Sequence, residues 1–357
     1  MSWGVAVLDE AQKVKNPASL VTEATKAITA DFTVALTGTP VENHLSDLWC
    51  VTDAVQPGRL GALKDFVNYY LPDGTVDEGR MRELKSLLIE HDPAPMLRRM
   101  KQDHLPGLPE ISVHITRSEM PALQAKAYDD VVVAARGAGG DRGAMLKALQ
   151  HLRSVSLHPL ADCDGNHQAF IDASARLKDT VRILDTVASR GEKALVFVEA
   201  VALQGVLAEL LQRRYSLAAP PIIVNGSVEG SKRKSRVDTF QASSGFDAMI
   251  LSPRAAGVGL TIVEANHVIH LSRWWNPAVE DQATDRVYRI GQRRPVHVYT
   301  PLAVHPRLQD ASFDVRLHEL LTRKRDLSRH VLATPMASES DLADLYLGAV
   351  QAGDSAS

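Results

Sequence analysis

The chain has 357 residues, of which 45% are hydrophobic and 23% are charged, a composition typical of a folded globular protein with room for two domains. Its formal net charge of −3 excludes a surface coated in positive charge, so any contact with nucleic acid has to come from local basic clusters. Two cysteines exclude a disulfide framework, and no apolar run reaches membrane-spanning length, so we expect a cytoplasmic protein (nucleoid-associated if bacterial) with no membrane partner.

The first 55 residues alternate between predicted strands and helices. Short apolar runs predict strands at Val5–Leu8 and Thr33–Leu36, with a helix at Ser19–Thr29 and another that begins near Leu45. Runs that are apolar throughout, rather than at every second residue, indicate strands with helices on both faces.

Two adjacent carboxylates, Asp9 and Glu10, follow the first predicted strand directly. Ligands bind at the carboxyl edge of a parallel sheet, so this pair is well placed to hold a metal ion. A pair that only caps a strand-to-helix turn is the alternative interpretation.

For residues 56 to about 170 we predict mostly helical and irregular structure. A glycine cluster between Gly137 and Gly143 indicates a flexible connection. Residues 171–335 return to strand–helix alternation, which predicts a mainly parallel, doubly wound sheet. For the tail 336–357, which is acidic and rich in small residues, we predict one short helix followed by disorder. Strands are predicted at Ala194–Glu199, Ile222–Asn225, Ala248–Leu251, His267–Leu271 and Val296–Pro301.

A helix is predicted between Asn276 and Gly291, and it carries two arginines. Asn276 suits its N-cap, and Gly291 suits a left-handed residue at its end. Within it, Gln282, Arg286 and Arg289 are spaced i, i+4, i+7, which predicts one shared face. Guanidinium groups on such a helix suit the clamping of a transferring phosphoryl group, although an ordinary helix surface also carries arginines.

These segments resemble the Swi/Snf-type branch of the superfamily two (DEAD/DEAH-like) helicase-like ATPases. The resemblance runs in family order from about Trp3 to about Leu332 and is strongest in the stretch WWNPAVEDQATDRVYRIGQ. VAVLDEAQKVKNPAS is similar to motif II and ALTGTPVENHLSDLW to motif III. Further matching blocks are PMLRRMKQDHLPGLPE, LHPL, SARLKDTVRILDTVASRGEKALVFVE and NGSVEGSKRKSRVDTFQ.

The resemblance implies an α/β fold with RecA-type lobes: the trailing half of an N-terminal lobe (1–55), a helical insertion and linker (56–170), and a complete C-terminal lobe (171–335). It implies ATP and Mg²⁺ as cofactors. Asp9 takes the position that holds magnesium, and Glu10 takes the position that activates water. Arg286 and Arg289 take the positions of arginine fingers. Further contacts with the nucleotide are implied for Gln12, Gly257, Gly259 and Gln282, and a role in coupling hydrolysis to lobe movement for Thr37, Gly38 and Thr39.

Double-stranded DNA is the partner that the resemblance implies. Basic clusters within the matching blocks favour contacts with the phosphate backbone, which position a protein without reading sequence. A solvated surface remains the alternative for any single cluster. The residues expected at DNA are Arg233, Arg236, Thr261 and Trp274.

A phosphate-binding loop, G-x-x-x-x-G-K-[ST], is not found, since none of the 22 glycines is directly followed by a lysine. The chain is therefore expected to be the C-terminal part of a larger or truncated ATPase, with the missing N-terminal segment as a partner in cis or in trans. We expect part of an ATP-driven DNA translocase that is inactive alone. The alternatives are a non-catalytic DNA-binding or complementing subunit from a split gene, and a strand-separating helicase.

Overall fold

The computed structural model describes residues 2–38, 44–72, 77–99, 105, 107–137, 141–253, 259–330 and 338–351. These residues form two compact units, the first mainly from residues 2–99 and the second mainly from residues 105–320 and 338–351.

The first unit contains a two-stranded parallel sheet. Strands β1 (Ser2–Asp9) and β2 (Thr29–Leu36) pair along their whole length and are joined through helix α1 (Leu20–Lys26). The helix begins where predicted because the Ser19 side chain accepts a hydrogen bond from the backbone of Thr22. Both predicted strands are confirmed, although each starts earlier than the apolar run that predicted it.

The faces of this small sheet are largely exposed. Trp3 is 52% exposed and Phe32 is 64% exposed, and Val5, Val7 and Leu36 are also exposed. Buried strands of this apolar character normally have helices or further strands on both sides. The apolar sequence of the sheet therefore predicts more cover than the described residues provide.

Helices form the rest of the first unit around a core of their own. They are α2 (Leu45–Val55), α3 (Leu63–Tyr70) and α4 (Glu78–Lys85), and a π-helical turn, Ser86–Glu90, continues α4. The buried side chains that they share are Leu45, Leu48, Phe66, Tyr70, Met81, Leu84 and Leu88. This core explains why the segment after residue 55 folds without a sheet.

The second unit is built on a six-stranded, wholly parallel sheet, which confirms the predicted α/β class. The strand order is β3-β8-β7-β4-β6-β5. The strands are β3 (Ile111–Glu119), β4 (Lys193–Phe197), β5 (Ile222–Val224), β6 (Asp247–Leu251), β7 (His267–His270) and β8 (Val296–Val304).

Strand β3 lies in the region predicted to be helical and irregular, so that prediction is wrong at this point. Ile111, Val113 and Ile115 alternate with polar residues, which is a strand pattern, although Val113 and Ile115 are exposed. β3 pairs in parallel with β8 at the edge of the sheet. Part of the predicted linker therefore belongs to the second sheet.

Helices cover both faces of the six-stranded sheet. On one face Val196 and Ile269 pack with Leu184 and Leu207, and on the other Phe197 packs with Phe240 and its neighbours. Successive strand residues point to opposite faces, which is why the strands are apolar at every position. Along the chain after β3, the helices are α5 (Ala122–Gly137), α6 (Arg142–Leu157), α7 (His167–Asp172), α8 (Ala175–Ser189), α9 (Val201–Tyr215), α10 (Gly230–Ala242), α11 (Pro277–Thr284), α12 (Phe313–His330) and α13 (Glu339–Gln351).

The acidic tail forms a helix that packs against α5 and α6. The Arg136 guanidinium donates hydrogen bonds of 2.9 and 2.6 Å to the carbonyl oxygen of Val350, close to the end of α13. A cation suits the carbonyl end of a helix. Within the residues that the structure describes, no helix is both long enough and apolar enough to cross a membrane.

Candidate functional site

The predicted site residues fall into two groups, one in each unit. In the first unit, Asp9 ends β1 and is exposed, and its Oδ1 accepts a hydrogen bond of 2.9 Å from the backbone of Glu10. Glu10 has a left-handed backbone (φ 52°, ψ 50°), which is uncommon for a residue with a side chain. Such strain is found at functional sites and is held there by surrounding contacts. A 3₁₀ turn, Ala11–Val14, begins directly after Glu10.

Gln12 connects Glu10 to the neighbouring strand. Its Nε2 donates a hydrogen bond of 2.5 Å to the Glu10 carboxylate, and its Oε1 accepts one of 2.7 Å from the Thr37 hydroxyl. Thr37 follows β2, and Gly38 follows Thr37, whereas Thr39 lies outside the described residues. The structure therefore joins a predicted catalytic residue to the predicted coupling segment through one amide.

The carboxylates at this edge fit a magnesium ion that is held mainly by its other ligands. Within the described part of the chain, no group of three or more His, Cys, Asp or Glu side chains is arranged to hold a metal. Mg²⁺ takes oxygen ligands, keeps several waters, and usually binds only one or two protein carboxylates together with phosphate oxygens. The exposed Asp9 carboxylate can supply such a ligand.

In the second unit, the helix that was predicted to reach Gly291 ends at Thr284, so that prediction is wrong. Asn276 Oδ1 accepts a hydrogen bond of 2.9 Å from Ala278, which confirms Asn276 at the start of α11. Beyond Thr284 the carbonyl of Arg286 accepts the N–H of Ile262 at 2.9 Å. This long-range hydrogen bond competes with the helical one that the N–H of residue 290 would make to the same carbonyl.

Gln292 fixes the end of the same segment. Its buried carboxamide donates hydrogen bonds of 3.1 Å to the carbonyl of Val263 and 2.7 Å to that of Ala265. Gly291 has φ 105°, a conformation that a residue without a side chain adopts readily. The prediction of positive φ at Gly291 is confirmed, but it serves a loop and not a helix end.

The two arginines consequently differ in environment. Arg286 is 7% exposed and Arg289 is exposed, while Gln282 is half-buried in α11. The prediction of one shared helical face for these three side chains is wrong. Gly259 has φ 54°, and Gly257 lies outside the described residues.

Three of the four residues expected at DNA have protein partners. The Arg233 guanidinium donates to the carbonyl of Val228 at 2.7 Å, and that of Arg236 donates to the carbonyl of Ile223 at 2.5 Å. Thr261 is exposed. Trp274 is half-buried and forms a cation–π contact with Arg153. Arg233 and Arg236 therefore brace the backbone around β5 as well as carrying charge.

A group of buried charges at the carboxyl edge of the six-stranded sheet was not predicted from the sequence. Arg273, just after β7, forms a bidentate ion pair with Glu280 at 2.9 and 3.2 Å. Arg176 lies 3.4 Å from Asp314, and both are fully buried. A charged residue directly after an apolar strand, as at Arg273, is the signal that could have pointed to them.

Two family models match the chain in succession. Residues 1–161 match the SNF2-related domain, and residues 175–291 match the helicase conserved C-terminal domain.

Curated relatives support the same assignment. The chain is 38% identical to the Zorya protein ZorD of Escherichia coli O139:H28 over 364 residues, which cover 97% of this chain and 33% of that protein. It is 32% identical to the putative ATP-dependent helicase/translocase YwqA of Bacillus subtilis, covering 93% of this chain and 36% of that protein. The chain thus spans about a third of the length of these relatives.

A solved structure has the same architecture over almost the whole chain. The SWI2/SNF2 ATPase core of Sulfolobus solfataricus in complex with double-stranded DNA is 27% identical and superimposes with a TM-score of 0.52, over 98% of this chain and 71% of that one. With an SNF2-related domain followed by a helicase conserved C-terminal domain on a RecA-like parallel sheet, the chain belongs to the Swi/Snf-type family of helicase-like ATPases.

Proposed function

We propose that the chain is part of an ATP-dependent motor that moves along double-stranded DNA. The observation that carries the proposal is the hydrogen-bonded series Glu10–Gln12–Thr37 at the carboxyl ends of two parallel strands. In this series a carboxylate that can accept a proton is hydrogen-bonded through one amide to the segment predicted to couple hydrolysis to movement, which supports the proposal. The names of the relatives, which include an ATP-dependent helicase/translocase and an ATPase core in complex with DNA, support the same class of activity.

The chain supplies carboxylates from its first unit and arginines from its second. Bound Mg²⁺ with ATP would provide the phosphoryl group and neutralise its charge. Asp9 would hold the metal, and Glu10, oriented by the Gln12 amide, would take a proton from the attacking water. Arg286 and Arg289 would stabilise the charge that develops on the phosphoryl oxygens. Gln282, Gly257 and Gly259 remain predicted nucleotide contacts.

We also propose that this chain alone hydrolyses ATP negligibly. No phosphate loop is present in the sequence to fix the β- and γ-phosphates, and catalysis of phosphoryl transfer is mostly positioning. The exposed apolar side chains of β1 and β2 support a partner that completes this sheet, such as an N-terminal ATPase segment in cis or in trans. An exposed apolar sheet is otherwise a site of aggregation.

The test is a DNA-stimulated phosphate-release assay on the chain alone and on the chain fused to an SNF2-family segment that contains a phosphate loop. We expect turnover only from the fusion, and loss of turnover in the fusion with Glu10→Gln, which keeps the size of the side chain but removes the base. Substantial turnover by the chain alone, or full activity of Glu10→Gln, would contradict the proposal. A strand-separation assay on the same fusion distinguishes translocation from unwinding.

A further inference from the structure

Arg153 of α6 contacts two segments that leave the carboxyl edge of the six-stranded sheet. Its guanidinium forms an ion pair with Glu199, which follows β4, and donates a hydrogen bond of 2.6 Å to the backbone carbonyl of Arg273, which follows β7. The same group lies 5.5 Å from the centre of the Trp274 ring, within the range of a cation–π interaction. One side chain on α6 therefore holds the chain at the exit of both strands.

The turn formed by Arg273 and Trp274 is tied to α11 as well. The two ion-pair hydrogen bonds between Arg273 and Glu280 are buried, since the side chains are 1% and 3% exposed. The Glu280 carboxylate also accepts the backbone N–H of Trp274 at 2.9 Å. A fork-shaped guanidinium on a carboxylate fixes relative orientation as well as distance. The turn and α11 are therefore held in one arrangement.

Helix α11 leads directly to the two arginines. Beyond Thr284 the chain is held by the hydrogen bond between Arg286 and Ile262 and by the fully buried Val287 side chain. The segment with Arg286 and Arg289 is therefore fixed at its far side by the core, and at its near side by the turn that Arg153 contacts. A shift of that turn would move Glu280 and α11 with it, and hence the segment that carries the two arginines.

We propose that Arg153 is a positioning residue for Arg286 and Arg289, acting through the Arg273–Trp274 turn and α11. The inference rests on the proposed function, because the role of the two arginines is part of it. Lys at this position would keep the charge but lose the planar guanidinium, which contacts a carboxylate, a carbonyl and an aromatic ring at the same time. Arg153 links α6, outside the sheet, to the segment that would contact the transferring phosphoryl group.

The experiment measures DNA-stimulated ATP hydrolysis by the fusion that contains a phosphate loop, with Arg153→Ala, Arg153→Lys and the control Lys147→Ala, an exposed residue of the same helix. We expect Arg153→Ala to lower kcat by about 10- to 100-fold, since small misplacements of catalytic groups have effects of this size. The KM for ATP should change by less than about twofold, because a group that acts in the transition state affects kcat and not ground-state binding. Arg153→Lys should have the melting temperature of the unsubstituted fusion, but its kcat should lie between that of Arg153→Ala and that of the unsubstituted fusion.

A double-mutant cycle with Arg289→Ala separates positioning from simple loss of folding. If Arg153 acts through the arginine segment, the double variant should be no slower than Arg289→Ala alone, since residues that act as a unit are not additive. Additive losses, or a fall in kcat that only follows the folded fraction, would overturn the inference. If the unsubstituted fusion does not hydrolyse ATP, the proposed function fails, which is a separate outcome from an active fusion that is indifferent to Arg153→Ala.

Discussion

The Thr37 hydroxyl donates a hydrogen bond of 2.7 Å to the side-chain carbonyl of Gln12. The two residues come from neighbouring parallel strands, each just beyond the carboxyl end of its strand. Because the amide of Gln12 also donates to Glu10, we expect a movement of the segment after β2 to change the orientation of that carboxylate.

The first prediction concerns this connection. In the fusion with a phosphate loop, we expect Gln12→Leu and Thr37→Val each to lower kcat about tenfold. Gln12→Leu leaves Glu10 without its amide donor, and Thr37→Val leaves the amide without its hydroxyl partner. A hydrogen bond to a charged group is worth about 1.5–3 kcal/mol and a neutral one about 0.5–1.5 kcal/mol, and a tenfold change corresponds to about 1.4 kcal/mol. Steady-state phosphate release measures the effect.

Thr25→Val is the matched control, because the Thr25 hydroxyl donates its hydrogen bond within its own helix, to the carbonyl of Val21. Its turnover should equal that of the unsubstituted fusion. Equal losses from Thr25→Val and Thr37→Val would show that the Gln12–Thr37 bond has no special role.

The second prediction concerns the stability of the second unit. The buried ammonium of Lys193 donates to the carbonyls of Phe240, Gln241 and Ser243, at 2.8, 2.9 and 2.6 Å. These carbonyls lie at the end of α10, where no helical donors remain. Lys193→Met keeps the apolar stem but leaves the carbonyls unsatisfied, so we expect a loss of about 2–4 kcal/mol in the free energy of unfolding.

Urea denaturation followed by circular dichroism measures this loss. Lys178→Met is the control, because Lys178 is 53% exposed and pairs with Asp172 at 3.8 Å on the surface. Exposed ion pairs contribute less than about 1 kcal/mol. A Lys193→Met chain as stable as the control would show that other donors replace the ammonium.

The third prediction is that stability falls as the pH drops below about 6.5, the ordinary pKa of histidine. His158 is buried, stacks on Phe170 with ring centres 3.8 Å apart, and fits its surroundings as a neutral ring: Nδ1 accepts from Leu160 and Nε2 donates to the carbonyl of Phe170. Burial lowers the pKa of His158, and likewise those of His267 and His297. Since the unfolded chain binds these protons first, stability is complete above the unfolded pKa and is lost as the pH falls toward the folded one.

Unfolding free energies at several pH values between 5 and 8 check this sign. Each histidine adds up to about 1.4 kcal/mol per pH unit to the slope. His158→Asn should be less stable at pH 7.5 but should show a shallower slope, whereas His151→Gln, at an exposed position, should keep the slope of the unsubstituted chain. A stability that rises on acidification would contradict the assignment.

Most of the second unit could be predicted from the sequence because its strands are buried on both faces. Leu195 and Phe197 lie on one side and Val196 on the other, so the strand is apolar throughout and easily recognised. β3 was missed because an edge strand with one exposed face has a weaker pattern, and because it stands alone among helices. Pairing with β8, almost 200 residues further along the chain, cannot be read from local sequence.

For the predicted site residues, the sequence indicated the place of some in the fold but not the geometry of others. The positions of Asp9 and Glu10 follow from the strand before them, and the structure places both at the carboxyl end of β1. The prediction of a helix through Arg286 and Arg289 was wrong because long-range hydrogen bonds hold this segment elsewhere. The N–H of Ile262 donates to the carbonyl of Arg286, and the side chain of Gln292 ties the end of the segment to the carbonyl of Val263. Local spacing predicts a helix wherever i, i+4 and i+7 match, and contains no information about such competitors.

The last prediction separates charge from bracing on the basic helix α10. We expect duplex binding that is independent of sequence and weakens steeply with salt, because backbone contacts release counterions. Lys234 is exposed, whereas the Arg236 guanidinium also donates to the carbonyl of Ile223. Lys234→Ala should therefore weaken binding and reduce the salt slope by about 1, with no change in melting temperature. Arg236→Ala should do the same and also lower the melting temperature.

Arg236→Lys decides between the two roles, because an ammonium keeps the charge but has a different reach and no fork. It should keep the salt slope of the unsubstituted chain while retaining the lower melting temperature of Arg236→Ala. Fluorescence anisotropy with two unrelated duplexes, from about 50 to 200 mM salt, gives the slope, and thermal denaturation gives the stability. A strong preference for one duplex, or a slope that neither alanine variant changes, would remove α10 from the DNA-binding surface. In that case the hydrogen bonds of Arg233 and Arg236 to backbone carbonyls would be their whole role, since both already satisfy the segments around β5.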